Sequence, residues 1–449
     1  MKTIFITSFH VFISRNILAA PFLKLLVALP NIRIVLLVPV AKVEFFKKEF
    51  AGERVIVEGV KRRLTRLDAL LGDFALAATT TRSARIRRSY RIGWIYSYTP
   101  RLFLFAPLFF HVYRYIYRLF VPRDTFTKFF LQYKPDLVFA TDIFSQLDSR
   151  LLLEAMALGV KTVGMVRSWD NLTTKGPIPV FPDLLLVNNE IIRREAIYYH
   201  HFQAERIRVV GIPHYDRYGL GPVHGRADFE RIVGLPSGKK FFIYAPQGDR
   251  FFTRGNSTFD RDIIEIISTS LPDGYILLVR FPPADSVNLD ELQLVKNNVF
   301  FHRPGTTLSD KHGFYKQNEL SSDDEDILID TLYYSEALIS IGTTLAIDSV
   351  MFNKPQILIG FTSENRIIVH KSVVHVSEYE HMKSFLFSGG VRIVLTPVEL
   401  AQSILNYLAD LSLNKVGRDR IIREQVFRAD GKSSERLFTV IKNELQEEN

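Results

Sequence analysis

The sequence contains no cysteine, which excludes disulfide frameworks, thiolate zinc sites and cysteine nucleophiles. It also lacks any window of about 18 uninterrupted apolar residues, so a membrane-spanning helix is not expected. His10 and Arg15 interrupt the first apolar stretch and no small-residue cleavage site follows, which argues against a signal peptide. The 449 residues are 47% hydrophobic, enough for a large buried core. These features predict a cytoplasmic globular protein.

Acidic residues are absent between positions 74 and 122, and the positive charge of the chain is concentrated there. Segment 61–124 carries thirteen Lys and Arg against three Asp, a balance of +10, whereas the whole chain has a net charge of +9. The rest of the chain is therefore close to neutral. Such a local excess indicates a surface that meets an anionic partner.

An aromatic, apolar run at 102–121 lies within this basic segment, and His111, Arg114 and Arg118 recur on one face of the predicted helix. Basic residues beside aromatic bulk favour the interface of an anionic membrane, where each Lys or Arg contributes about 1 kcal/mol. Nucleic acid is the rival partner, but no nucleic-acid-binding module surrounds the segment. A helical hairpin packed in the core with a solvated arginine rim is the structural alternative. We predict peripheral association with the inner face of the cell membrane and no binding to nucleic acid.

Short apolar runs alternate with helical patterns along most of the chain, which is typical of βαβ units and parallel sheets. Strands are predicted to start near residues 2, 32, 54, 136, 161, 183, 206, 240, 275, 298, 337, 355 and 391. A Gly- and Pro-rich stretch at 211–229 divides them. We therefore predict two Rossmann-like domains, 1–220 and 221–449, with the last helix as an element that returns to the first domain. Two such domains facing a central cleft form the GT-B fold, with the ligand at the carboxyl ends of both sheets.

Candidate site residues of the first domain lie in three loops that follow predicted strands. They are His10, Trp169, Asp170, Asn171, Lys175 and His214. A carboxylate or an imidazole can act as a general base, and Lys175 or Arg167 can meet a phosphate. The structural alternatives are an Asx turn at Asp170 and Asn171, a packing role for Trp169 and a hinge clamp at His214.

The second domain offers basic and hydroxyl-bearing residues after its predicted strands. These are Gln247, Arg250, Arg280, His302, Gly342, Thr343, Thr344 and Asp348. Guanidinium groups and free backbone N–H groups at a strand-to-helix junction neutralise a diphosphate, and His302 is a candidate contact for a nucleobase. Asp348 could accept a hydrogen bond from a ribose or acceptor hydroxyl. In the structural alternative, Thr343 is a helix N-cap and Asp348 is a surface residue.

Five segments carry a family resemblance: WDNLTTKG at 169–176, GIPHYD at 211–216, YAP at 244–246, the stretch 326–358 and DGKSSER at 430–436. In this order they resemble the superfamily of CDP-glycerol glycerophosphotransferases (teichoic acid polymerases) and related bacterial surface-polysaccharide glycosyltransferases. The resemblance covers about residues 136–440 and leaves the basic segment outside. It implies the GT-B fold and an enzyme that uses an activated nucleotide-diphosphate donor.

Two departures from that family pattern bear on the reaction. The loop histidine that serves as the base in glycerophosphotransferases is Asp170 here, and the His-Pro after the second strand of the second domain is Phe281-Pro282. The resemblance therefore implies transfer of a sugar from a nucleotide sugar to a surface polysaccharide or lipid-linked glycan. The first domain would bind the acceptor, with Asp170 or His10 as the base, and the second would bind the nucleotide. No metal or cofactor beyond the nucleotide-sugar donor is required.

Three alternatives to this reaction remain open. A glycerophosphotransferase or polyol-phosphate transferase would use the same fold. A non-catalytic polysaccharide-assembly protein would bind glycan without turnover. A nucleotide-sugar 2-epimerase shares the architecture but has no reason to carry a basic amphipathic segment.

Overall fold

The computed structural model describes residues 1–61, 66–91, 106–246, 258–283, 297–309, 316–361 and 378–446. Two parallel β-sheets form the centres of an amino-terminal half and a carboxyl-terminal half, and each sheet has an apolar core on both faces. Within these ranges no helix is both long and apolar enough to cross a membrane.

The amino-terminal half contains a sheet of seven parallel strands. They are β1 (Lys2–Thr7), β2 (Ile32–Pro39), β3 (Val55–Val60), β4 (Leu137–Ala140), β5 (Lys161–Met165), β6 (Leu184–Val187) and β7 (Ile207–Val209). Their spatial order is β3-β2-β1-β4-β5-β6-β7. Because helices cover both faces of the sheet, strands such as β1 and β2 are buried on both sides and are almost continuously apolar in sequence.

The carboxyl-terminal half contains a sheet of six parallel strands and a separate antiparallel hairpin. The sheet strands are β8 (Lys240–Ala245), β9 (Tyr275–Arg280), β10 (Val299–His302), β13 (Leu338–Ser340), β14 (Gln356–Ile359) and β15 (Val391–Val394); the hairpin strands are β11 (Thr306–Ser309) and β12 (Lys316–Glu319). The order in the sheet is β10-β9-β8-β13-β14-β15. The predicted α/β class with two parallel sheets is confirmed, and each predicted strand lies in one of the two sheets. The hairpin was not predicted, because its strands are short and polar.

The helices connect successive strands and cover the sheets. In the amino-terminal half they are α1 (Val11–Ile13), α2 (Pro21–Val27), α3 (Val43–Phe50), α4 (Arg66–Ala78), α5 (Arg82–Arg91), α6 (Ala106–Phe120), α7 (Thr127–Tyr133), α8 (Gln146–Ala157), α9 (Asn171–Thr174) and α10 (Glu190–His200). They continue with α11 (Arg226–Val233), α12 (Thr258–Ser270), α13 (Ser322–Tyr334), α14 (Leu345–Val350), α15 (Glu380–Leu386), α16 (Pro397–Ala409), α17 (Lys415–Ile421) and α18 (Ser433–Gln446).

The last helix, α18, packs on the amino-terminal half. Leu437, Ile441 and Leu445 belong to the core between β1, β2 and α2. At its start, the carboxylate of Asp216 accepts hydrogen bonds from the backbone N–H groups of Ser433 and Ser434 at 2.8 and 2.6 Å. The chain therefore passes between the halves a second time, beside the first passage. The domain limits 1–220 and 221–449 stay a prediction.

Helix α6 contains the aromatic, apolar part of the basic segment 61–124. Residues 62–65 and 92–105 of this segment lie outside the described residues. Of the three basic residues predicted on one helical face, His111 and Arg118 are exposed, but Arg114 is buried. The Arg114 guanidinium donates hydrogen bonds to the carbonyls of Ile178 and His200 and lies 3.9 Å from the Phe181 ring centroid. These acceptors satisfy the charged group inside the fold, so it cannot serve an external partner.

Candidate active site

The amino-terminal cavity is an opening of about 370 Å³ at the carboxyl ends of β1, β2, β4 and β5. The segments that follow these strands form its walls, with Phe9, His10, Ile13, Pro39, Thr141, Asp142, Phe144, Ser145, Gln146, Leu147, Asp148, Arg167 and Lys175. Two predicted site residues, His10 and Lys175, are thus brought together. Asp142 and Asp148 were not predicted; the only sequence signal of Asp142 is its place directly after the fourth strand, and Asp148 lies in the first turn of α8.

Asp142 is the centre of an ion-pair network in this cavity. One carboxylate oxygen, Oδ2, lies 2.7 Å from Arg167 Nε and 3.8 Å from Lys175 Nζ, and the other accepts the N–H of Phe144 at 3.2 Å. Burial alone would raise the pKa of Asp142, but the charges of Arg167 and Lys175 outweigh it and lower the pKa. Asp142 is therefore an ionised carboxylate at the cavity wall near neutral pH.

The pKa of Asp148 is shifted in the opposite direction to that of Asp142. Its Oδ1 accepts a hydrogen bond from Thr7 Oγ1 at 2.5 Å, whereas Oδ2 has no hydrogen-bond partner in the described part of the chain. Burial, followed by the charge of Asp142, raises the pKa of Asp148 to about 7. The cavity thus combines an ionised carboxylate with a carboxyl that is close to half protonated at neutral pH.

His10 is a neutral imidazole at the wall of the same cavity. Its Nδ1 accepts the N–H of Phe12 at 3.3 Å, so the proton of the neutral ring is on Nε2. Burial, with the charges of Arg167 and Lys175, lowers the pKa of His10 to about 3. This geometry favours a hydrogen-bond donor over a base, and the sequence assignment of His10 as the base stays a prediction.

The loop of Trp169, Asp170 and Asn171 contacts the carboxyl-terminal half instead of lining this cavity. The Trp169 ring packs against His381 and Phe385 of α15, with centroids 5.2 and 5.9 Å apart. Asp170 Oδ2 accepts a hydrogen bond from Thr174 Oγ1 at 3.1 Å.

The pKa of Asp170 is lowered: burial would raise it, but His381 and a hydrogen bond from Ser168 outweigh that effect. Asn171 is buried, and its amide atoms have no hydrogen-bond partner within the described ranges. Asp170 is thus a carboxylate at the contact between the halves, and its assignment as the base stays a prediction.

The interdomain cleft is a second, narrower opening of about 100 Å³ between the two halves. Phe12 and Arg15 line it from the amino-terminal half, and the opposite wall includes Ala245, Pro246, Arg280, Phe281, Pro283, Glu325, Thr343, Thr344 and Asp348. The structure thus brings four predicted nucleotide-binding residues together: Arg280, Thr343, Thr344 and Asp348. Arg15 and Glu325 were not predicted to be site residues.

The remaining predicted nucleotide contacts have different positions. His302 pairs in register with Arg280 across β10 and β9, and burial, with the charge of Arg280, lowers the pKa of His302 to about 3. Gly342 precedes Thr343 with a φ of 107°, a conformation that favours glycine. Gln247 and Arg250 lie outside the described residues.

His214 contacts two carboxylates that line the interdomain cleft, Glu325 and Asp348. Its Nε2 is 2.7 Å from Asp348 Oδ1 and its Nδ1 is 2.7 Å from Glu325 Oε1, while Tyr218 donates to the same Asp348 oxygen at 2.8 Å. Burial would lower the pKa of His214, but Glu325 and Asp348 outweigh burial and raise it. His214, predicted on the acceptor side, therefore lies with Asp348, which is buried and not the surface residue of the structural alternative.

A buried ion pair connects the unpredicted hairpin to the amino-terminal half. Lys42 Nζ lies 2.5 Å from Glu319 Oε2 at the end of β12, and the side chains are 2% and 0% exposed. Ser14 Oγ donates a hydrogen bond to the other oxygen of Glu319. The hairpin therefore forms part of the contact between the two halves.

Comparison with solved structures shows what this architecture is similar to. The chain is similar to UDP-GlcNAc 2-epimerase from Neisseria meningitidis bound to UDP-GlcNAc (TM-score 0.59, 10% identity, 99% of this chain and 100% of that one). It is also similar to the wall teichoic acid polymerase TagF (TM-score 0.52, 13% identity, 99% and 89%) and to a glycosyltransferase from Rickettsia africae (TM-score 0.50, 11% identity, 100% and 99%).

A scan against protein-family models and a search of curated proteins give no match. At such low identities the structural similarity establishes the fold and not the reaction. Its agreement with the two sheets and the cleft between them confirms the predicted fold: the chain has the GT-B fold.

Proposed function

We propose that the protein is a metal-independent GT-B glycosyltransferase that moves a sugar from a nucleotide-diphosphate sugar to a surface polysaccharide or lipid-linked glycan. The observation that carries this proposal is the segment after β1. His10 and Ile13 line the amino-terminal cavity, whereas Phe12 and Arg15 line the interdomain cleft. One helical turn thus separates the two openings, so a group bound in one can be transferred to a molecule bound in the other.

The nucleotide diphosphate is assigned to the interdomain cleft. Arg15 and Arg280 supply positive charge from opposite walls, and the hydroxyl and N–H groups of Thr343 and Thr344 can donate to phosphate oxygens. The UDP-GlcNAc complex of the Neisseria meningitidis neighbour, which has the same fold, supports a nucleotide-sugar ligand. Gln247, Arg250, His302 and Gly342 remain proposed contacts.

The acceptor is assigned to the amino-terminal cavity, where Asp142 offers the ionised carboxylate that a base requires. In this arrangement Asp142 takes the proton of the attacking hydroxyl, while His10 Nε2–H and Lys175 orient the acceptor. Asp170 is the competing base, on the sequence assignment. Closure of the halves would exclude the water that hydrolyses the donor.

The test of the reaction is incubation of the purified protein with a panel of nucleotide sugars and CDP-glycerol, with and without glycan acceptors. We expect acceptor-dependent release of a nucleoside diphosphate from a nucleotide sugar. Release of CMP from CDP-glycerol would instead identify a glycerophosphotransferase. Interconversion of the donor sugar without net release would identify an epimerase. Glycan binding without turnover of any donor would identify a non-catalytic polysaccharide-assembly protein.

The same assay separates the candidate bases. Asp142→Asn is expected to lower the turnover rate by about 100-fold or more, because general base catalysis typically contributes 10²–10⁴-fold. Asp170→Asn is expected to have a smaller effect. Asp228→Asn, on the exposed surface of α11, is the matched control. If Asp142→Asn keeps the wild-type rate and Asp170→Asn loses most of it, Asp170 is the general base.

Membrane association is proposed through α6. Val112, Tyr115 and Leu119 are exposed at i, i+3 and i+7 of this helix, and Arg118 and His111 are exposed beside them. An aromatic, apolar stripe with basic residues at its edge fits the headgroup region of an anionic membrane. Such a contact would place the enzyme beside a lipid-linked acceptor.

A further inference from the structure

The amino-terminal cavity carries an inference about the acceptor that rests on the proposed function. We propose that this cavity binds a monoanionic group of the acceptor, such as a phosphate diester or a carboxylate. Three features of the cavity support it: its charge balance, the helix that starts at its wall and a buried carboxyl oxygen, Asp148 Oδ2, for which the described residues provide no hydrogen-bond partner.

The charge balance of the cavity is positive but is less than one full charge, because Asp148, with a pKa of about 7, is about half ionised at neutral pH. Arg167 and Lys175 face the cavity together with one ionised carboxylate, Asp142, while His10 is a neutral ring. Arg167 donates a hydrogen bond to Asp142 from its Nε only. The Nη groups of Arg167 make no hydrogen bond to any residue that the structure describes. These donors are available to an anion, and guanidinium favours phosphate and carboxylate groups.

Helix α8 begins at the cavity wall and adds to this field. Its N-cap Ser145 and first residues Gln146 and Leu147 line the cavity, and the helix has 12 residues. The first N–H groups of a helix have no intrahelical acceptor, and the helix dipole places partial positive charge there. The start of α8 and the Arg167 and Lys175 side chains therefore line the same cavity.

Asp148 is the independent sign of a ligand. Its side chain is 1% exposed, it lines the cavity, and its Oδ2 has no hydrogen-bond partner in the described part of the chain. A buried polar atom without a partner is costly, so such an atom at a cavity wall indicates a group that binds there. In its protonated form the carboxyl donates a hydrogen bond, and the partner that this donor requires is an acceptor such as an anionic oxygen.

The size of the cavity suits such a group. Its volume of about 370 Å³ is roughly ten times the share of one water molecule in the liquid, which accommodates a phosphate or carboxylate and the atoms attached to it. The aromatic rings of Phe9 and Phe144 also line the cavity and offer apolar surface for those atoms.

The test uses the full-length protein saturated with UDP, so that the interdomain cleft is occupied and only a second anion site responds. Ligand-observed NMR titrations compare methyl sulfate, a tetrahedral monoanion, and acetate, a planar one, with uncharged dimethyl sulfone. We expect at least one of the two anions to bind and dimethyl sulfone not to bind. The preferred anion tells a phosphate-like group from a carboxylate.

Two variants locate the site. Lys175→Gln is expected to weaken anion binding about tenfold or more, since a charge-assisted hydrogen bond is lost, whereas Lys240→Gln on the exposed surface leaves it unchanged. Arg167→Lys keeps a cation beside Asp142 but removes the free Nη donors, and it is expected to weaken binding as well. Wild-type affinity for UDP in each variant shows that the fold is intact.

Two results would overturn the inference. One is that neither anion binds better than dimethyl sulfone to the UDP-saturated protein. The other is that both variants bind the anion as the wild type does while UDP binding is unchanged. If the wild type did not bind UDP or any other nucleotide, the proposed function itself would fail, and the two failures are thereby distinguishable.

Discussion

At the scale of single residues, Asp142 and Asp148 show how position alone separates two chemically identical carboxyls. Both are buried, but Asp142 lies between two cations and Asp148 lies beside Asp142. The first pKa is lowered and the second is raised to about 7. A base and an acid are thereby present on one cavity wall at neutral pH, a separation typical of active sites.

The raised pKa of Asp148 predicts a pH-dependent stability. A carboxyl has an ordinary pKa of about 3.9, and here it is about 7 in the fold, so the folded protein loses stability from about pH 4 to about pH 7. The loss amounts to a few kcal/mol in total. The asparagine of Asp148→Asn cannot ionise, so this variant does not lose the stability that the wild type loses as pH rises. The unfolding temperature of the variant minus that of the wild type is therefore expected to be larger at about pH 8 than at about pH 5.

Differential scanning calorimetry at the two pH values measures this gain. The exposed variant Asp228→Asn should follow the wild type at both. If the difference in unfolding temperature between Asp148→Asn and the wild type is the same at both pH values, the pKa of Asp148 is not raised in the fold.

Some site residues could be predicted from sequence and others could not, for a physical reason. His10, Thr343 and Thr344 follow apolar strands within a few residues and Arg280 ends one, so their place at the sheet edge is predictable. Asp148 is three residues into a helix, and Arg15 lies past a helical turn, so their entry into the site depends on tertiary packing. Loop composition alone could not show that the side chain of Trp169 would pack on α15.

At the scale of elements, α6 shows that a sequence pattern can predict a helix correctly without showing which of its residues are buried. The basic residues do recur along the helix, but the buried face includes Tyr113, Arg114 and Tyr117. An arginine is buried when carbonyl acceptors and an aromatic ring satisfy it, and spacing carries no information on those partners. The hairpin of β11 and β12 escaped prediction for a related reason: an ion pair from Lys42, and not an apolar pattern, holds it.

The exposed stripe of α6 predicts binding to anionic membranes. The wild type is expected to sediment with vesicles that contain phosphatidylserine, and the bound fraction should fall as salt rises. Leu119→Glu is expected to reduce the bound fraction several-fold, because it places an acid among apolar and basic residues. Leu405→Glu is the control at a similarly exposed leucine on α16. Equal sedimentation with neutral and anionic vesicles would contradict this role of α6.

At the scale of the whole molecule, the Lys42–Glu319 pair is a buried connection between the halves. Lys42→Met leaves Glu319 buried and uncompensated, which typically costs about 3–5 kcal/mol. We expect this variant to favour separated halves and to have a larger radius of gyration by small-angle X-ray scattering. The double variant Lys42→Met with Glu319→Gln removes both charges and should return toward the wild-type value. If the single and double variants scatter alike, the pair does not hold the halves together.

The second passage of the chain between the halves has a consequence for measuring their motion. Lys2 Nζ donates a hydrogen bond to the carbonyl of Leu445, and α18 packs against α2, so both ends of the described chain belong to the amino-terminal half. A fluorophore pair attached at the two ends of the described chain, near Lys2 and Leu445, would therefore report little of an opening of the cleft. A distance sensor for cleft opening needs one dye on α16 or α12 instead.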